Sequence, residues 1–100
     1  MALTDTQITA LERKGFKRWQ KNGMDRMYIN ATRLGLELTF YKTGNVSSAQ
    51  FNGEWISNSR GRGLRDCKTY IDVTDGSVHS GDSGLKENAQ KILDEIVQAA

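Results

Sequence analysis

Proline is absent from this chain, and cysteine and histidine occur once each. With no proline there is no rigid Pro-rich linker, and no composition shift marks a domain boundary. The lone Cys67 cannot close an internal disulfide, so the fold must be held by its core alone. The lone His79 has no second histidine to join it in a metal-ligand set. Long apolar runs are missing too. None approaches the ~20 residues that cross a bilayer, and Met1–Thr6 lacks the charged and apolar regions of a signal peptide. These absences together point to a cytoplasmic protein of the cell that makes it, with no membrane partner. Asn30-Ala-Thr and Asn45-Val-Ser match the glycosylation pattern, which carries no weight without secretion. A large charge of one sign is also missing. The net charge is +2 and the isoelectric point about 8.8, short of a strongly basic nucleic-acid binder.

What is present is enough for one small domain over residues 1–100, with a single modest core. Charge is unevenly placed. Residues 1–68 hold twelve Lys and Arg against six Asp and Glu, while residues 69–100 hold two against six. This asymmetry anticipates a molecule with one basic side.

The stretch 16–30 organises the rest. Asn22-Gly23 lies between two half-apolar runs, and a type I′ turn needs positive φ at both central positions. A two-residue turn there makes Phe16–Lys21 and Met24–Asn30 antiparallel strands. It sets Lys21 opposite Met24, Gln20 opposite Asp25, Trp19 opposite Arg26, Arg18 opposite Met27 and Lys17 opposite Tyr28. Alternation then separates two faces. One carries Phe16, Met27 and Ile29, with Arg18, Gln20 and Asp25 towards the turn. The other carries Trp19, Met24 and Tyr28 among Lys17, Lys21 and Arg26. Large aromatics are buried more often than displayed, which favours Trp19 and Tyr28 packing inward beneath the terminal helices. Displayed instead, they would interleave with cations, and Trp19–Arg26 would form a cation–π pair.

Around this hairpin the chain reads in short elements. Residues 4–14 form a helix started by a Thr4–Gln7 capping box and a Leu3–Ile8 staple, and ended by Gly15. Ala31–Leu34 is one helical turn stopped by Gly35. Leu36–Lys42, Val46–Phe51 and Glu54–Ile56 are strands, the last two joined by a second Asn-Gly. Residues 57–68 favour an irregular helix, since Gly61 and Gly63 each cost about 1 kcal/mol relative to alanine. Thr69–Val73 and Ser77–Ser80 are strands about Asp75-Gly76. Residues 85–99 carry a one-sided apolar stripe, with Asp82 or Ser83 as cap. The fold class is therefore α+β: an antiparallel sheet of short hairpins with N-terminal, central and C-terminal helices packed on one face. Val46–Phe51 reads as a short, partly apolar edge strand on which a second copy could pair, giving a homodimer.

Few residues carry chemistry. Asp72, Asp75, His79 and Asp82 crowd one hairpin and its exit, where a metal site or an acid–base pair is the sharp reading. A two-residue turn at Asp75-Gly76 sets Asp72 opposite His79, the basis of a small-hydrolase reading. An ordinary ion pair on a solvated hairpin is the plainer reading. Cys67 lacks a local activating base and reads as a small buried residue. No cofactor motif and no metal motif is present. The phosphate-binding pattern Gly-x-x-x-x-Gly-Lys-Ser/Thr is missing, although Arg60-Gly-Arg62-Gly-Leu-Arg65 has arginines that can fork onto phosphate oxygens. With Lys17, Arg18, Trp19, Lys21, Arg26 and Tyr28, these arginines could build one basic, aromatic face of the sort that holds single strands. A solvated surface of ordinary charge content is the plainer alternative.

Gly-Phe-Lys-Arg-Trp at 15–19, Met-Asp-Arg-Met-Tyr-Ile-Asn at 24–30, Phe-Asn-Gly-Glu at 51–54, Ile-Ser-Asn-Ser at 56–59 and Lys-Thr-Tyr-Ile-Asp-Val at 68–73 occur together. In this the chain resembles small proteins encoded by phages and mobile elements of Gram-positive gut bacteria, over most of its length. The resemblance carries no functional residue across. It implies a non-enzymatic accessory protein, such as an anti-CRISPR or other anti-defence inhibitor, that binds a host protein or nucleoprotein complex. Direct binding of DNA or RNA is the alternative. The weak basic charge argues against simple DNA mimicry.

Overall fold

The computed structural model describes residues 1–99. The capping box forms as the sequence predicts. Helix α1, Asp5–Arg13, starts at Thr4, whose hydroxyl accepts the Gln7 N–H while the Gln7 side chain accepts the Thr4 N–H. Leu3 and Ile8 are both buried beside it. At its end Gly15 adopts φ of 106°, and the Phe16 N–H donates back to the Leu11 carbonyl, the hydrogen bond of a left-handed helix stop.

Strands β1, Lys17–Lys21, and β2, Met24–Ile29, follow with the register expected from Asn22-Gly23. Both turn residues have positive φ, 52° and 78°. A 3₁₀ turn over Ala31–Leu34 stops at left-handed Gly35. Strands β3, Leu36–Phe40, β4, Val46–Phe51, and β5, Glu54–Ile56, come next. Helix α2 spans Asn58–Asp66, strands β6 and β7 span Thr69–Asp72 and Val78–Ser80, and helix α3 spans Ser83–Ala99. Asp82 caps α3 by accepting the Leu85 N–H.

The class is α+β, and the strands divide into two antiparallel sheets. One has four strands in the order β1-β2-β6-β7; the other has three in the order β3-β4-β5. The division falls at the 3₁₀ turn. There the Asn52 N–H donates to the Gly35 carbonyl, and the Asn88 side chain of α3 donates to the Leu34 carbonyl at 2.6 Å. One apolar cluster runs through both sheets. It joins Ile8 and Leu11 of α1, Met27 and Ile29 of β2, Ile71, Val78, Leu36 and Leu64, and Leu85, Ala89 and Leu93 of α3.

Two expectations are corrected. Residues 57–68 hold a regular helix, capped by the Ser57 hydroxyl on the Arg60 N–H. Gly61 is the reason: a Cβ there would stand 2.5 Å from the Ala49 Cβ and 3.3 Å from Leu38. The glycine lets α2 lie directly on β3 and β4, and this packing outweighs its poor helix propensity. The central helix thus covers the three-stranded sheet, while α1 and α3 pack with the four-stranded one. Val46–Phe51 is the middle strand of its sheet, so it offers no free edge to a second copy. The free edges of that sheet belong to β3 and β5.

Candidate binding site

Strand alternation on the four-stranded sheet buries Met27, Ile29, Thr69, Ile71 and Val78. The side chains between them point away from the helices. Pairing lines these up in two rows across the sheet. Lys17, Tyr28, Tyr70 and His79 are successive partners in the first, and Trp19, Arg26 and Asp72 in the second. Trp19 and Tyr28 therefore do not pack inward beneath the terminal helices, and Trp19 is 37% exposed. The opposite face of the hairpin is already filled by Phe16, Met27 and Ile29, so the aromatic set has only the open side.

The rings touch in sequence. Trp19 meets Tyr28 edge-on with centroids 6.1 Å apart, Tyr28 meets Tyr70 at 5.1 Å, and Tyr70 stacks on His79 at 4.9 Å. Arg26 lies among them. Its guanidinium is 4.4 Å from the Tyr70 centroid and 6.0 Å from that of Trp19, and it donates to the Tyr28 hydroxyl at 3.0 Å. That hydrogen bond, ahead of the neighbouring Asp72 charge, raises the Arg26 pKa further. Arg26 Nε is buried without a hydrogen-bond partner. Asp72 makes no ion pair with Arg26, because its carboxylate accepts from the Thr74 N–H and hydroxyl instead.

Lys17 and Lys21 form no ion pair among the described residues. Lys17 and Tyr28 also line a cleft of about 200 Å³ between β2, β6 and the end of α2, together with Asn30, Arg65, Lys68 and Thr69. The first row of the sheet thus runs straight into a second basic feature.

The other expected site residues lie elsewhere. Arg18 is on the helix-covered side of the hairpin, where it pairs with Asp25 at 2.7 Å. Its guanidinium holds the Asp25 carboxyl below the usual carboxylate range. On α2 the arginines diverge because Gly61 and Leu64 take the buried side. Arg60 reaches Asp82, Arg62 reaches Asn45, and Arg65 lies beside Asp66 at the cleft. Only Arg65 joins the open face, so Arg60 and Arg62 do not belong to one surface with Trp19.

The Asp72–His79 pair does not form. Asp72 donates its N–H to the Ser77 carbonyl, and His79 pairs with Tyr70. The His79 ring is hydrogen-bonded to the Ser77 hydroxyl, which in turn donates to Asp75. That chain holds the Asp75 carboxyl below its ordinary range and orients the ring that stacks on Tyr70. The hydrolase reading loses its acid–base pair. The Cys67 sulfur has the Ser80 hydroxyl as its neighbour at 3.6 Å. Among the described residues no three His, Cys, Asp or Glu gather as a metal site, and no helix is long and apolar enough to cross a membrane.

The sequence does not single out Tyr70 or Lys68, and it singles out His79 only as a partner of Asp72. Tyr70 reads as one apolar residue among Thr69–Val73, and His79 is placed only by the true register of β6 and β7. The fold and site together define an α+β chain of two antiparallel sheets with an aromatic and cationic face left uncovered. No family model, curated protein or solved structure matches it.

Proposed function

We propose that this chain is a non-enzymatic binding protein that works by laying the open face of its four-stranded sheet on a partner. The observation that carries this reading is the set Trp19, Arg26, Tyr28, Tyr70 and His79 on one uncovered surface. Tryptophan, tyrosine and arginine dominate binding hot spots, because they bring large contact area and directed hydrogen bonds at small entropic cost. A guanidinium with a buried, unpartnered Nε is a polar group that the isolated fold leaves unsatisfied.

The resemblance to phage and mobile-element proteins supplies the setting: an accessory protein that blocks a host protein or nucleoprotein complex, with CRISPR effectors the sharpest case. The test is plasmid interference in a Gram-positive host carrying a CRISPR effector. The chain is expected to relieve interference, and the double variant Trp19→Ala, Arg26→Ala to relieve it at least tenfold less. Interference undiminished by the wild-type chain overturns the anti-CRISPR assignment. A double variant as active as wild type overturns the assignment of the face.

A further inference from the structure

We infer that the partner of this face is a single-stranded nucleic acid, its bases on the aromatic rows and its backbone at the cleft beside β2. The inference rests on the binding role given to the face above. Its first support is charge. Lys17, Lys21 and Arg26 stand on the face, and Arg65 and Lys68 border the adjoining cleft. Against them stand Asp72, committed to Thr74, Asp66, beside Arg65, and Asp75, held by the Ser77 hydroxyl next to His79. A surface so composed complements an anionic polymer.

The second support is the order of rings and cations. Aromatic side chains and guanidinium planes both serve as platforms for unstacked bases. Arg26 and His79 cover the two sides of the Tyr70 ring, so the platforms open to a base are the exposed rings at the ends of the set, Trp19 and His79. Bases meet such platforms through their flat faces, which a duplex keeps covered by neighbouring pairs. The third support is continuity. Lys17 and Tyr28 belong both to the ring row and to the cleft. A base seated by Tyr28 therefore carries its phosphate towards Lys17, Arg65 and Lys68.

The experiment is a titration of the full chain with labelled oligo(dT) and oligo(U) of about twelve nucleotides, and with a duplex of equal length, followed by anisotropy. Single strands are expected to bind at micromolar concentration and the duplex at least tenfold more weakly. Three phosphates neutralised would weaken binding about 40-fold from about 50 to about 300 mM salt. Trp19→Ala and the pair Arg65→Ala, Lys68→Ala are each expected to lose about tenfold. The pair Arg60→Ala, Arg62→Ala, with partners off the face, should bind as wild type. Trp19→Phe keeps a ring and separates loss of stacking from loss of fold. No binding at low salt, equal binding of duplex, or insensitivity to the ring and cleft variants overturns the inference. If oligonucleotides fail while Trp19→Ala, Arg26→Ala still abolishes relief of interference, the face binds a protein and only the nucleic-acid inference falls.

Discussion

The Arg26 guanidinium lies 4.4 Å from the centre of the Tyr70 ring, on the neighbouring strand. The contact ties β2 to β6 on the open face, while Met27 and Ile71 tie the same strands on the covered one. Replacing Arg26 by alanine removes the cation from Tyr70, frees the Tyr28 hydroxyl and opens space beside Trp19. Arg26→Ala is expected to lower the thermal midpoint and to change Trp19 emission, measured in a Trp55→Phe background. Arg26→Lys should recover little of either, because an ammonium lacks the planar fork that meets ring and hydroxyl together. Unchanged Trp19 emission in Arg26→Ala would contradict the geometry.

The two glycines of α2 predict opposite effects. A Cβ at Gly61 would meet Ala49, whereas one at Gly63 meets nothing within 4 Å. Gly63→Ala should stabilise by about 1 kcal/mol through helix propensity and a less flexible unfolded chain. Gly61→Ala should destabilise by about 1–2 kcal/mol, since overpacking exceeds the propensity gain. Urea titration with an unchanged slope reads both.

Much of the hairpin was legible in the sequence because its turn is fully specified. Asn22-Gly23 and Asn52-Gly53 both place two residues at positive φ, as a type I′ turn demands, so the register of β1 and β2 followed by counting. Asp75-Gly76 resembles them in sequence only. Gly76 alone has positive φ there, and the Asp72 and Asp75 side chains cap a longer loop between Asp72 and Ser77. Side-chain hydrogen bonds that compete with the tight turn do not show in a hydrophobic pattern. The register shifts by two residues, His79 lands on Tyr70, and the ring row becomes visible only in three dimensions. The divergence of the α2 arginines was hidden for a similar reason: it follows from which side Gly61 and Leu64 bury.

Acid should weaken the fold through Asp25 and Asp75. Hydrogen bonding to Arg18 lowers the first carboxyl in the folded state, and hydrogen bonding to Ser77 lowers the second. A carboxyl lowered on folding stabilises above its unfolded value of about 3.9, and that stability is lost as pH falls through the folded value. Stability is therefore expected to be level from about pH 7 to about pH 5 and to decline below about pH 4. Asp25→Asn should flatten that decline in chemical denaturation at stepped pH. An acid limb as steep as wild type would contradict the Arg18–Asp25 assignment.

Asn88 should matter more than its place on a helix surface implies. Its amide satisfies the Leu34 carbonyl and approaches the Asn52 side chain at 3.5 Å, where the two sheets part. Asn88→Ala leaves that carbonyl unpaired and is expected to cost about 1–2 kcal/mol. Hydrogen exchange should quicken at the Asn52 amide, which bonds to Gly35 in the same junction.

Two tryptophans on different sheets provide the most direct test of the open face. Trp19 stands on β1, and Trp55, 71% exposed, stands on β5. Fluorescence of Trp55→Phe reports the open face, and that of Trp19→Phe reports the other sheet, during titration with oligo(dT) at low salt. Saturable quenching of Trp19 is expected, with Trp55 unmoved. Quenching of Trp55 with Trp19 unmoved would place binding on the three-stranded sheet and contradict the role of the open face.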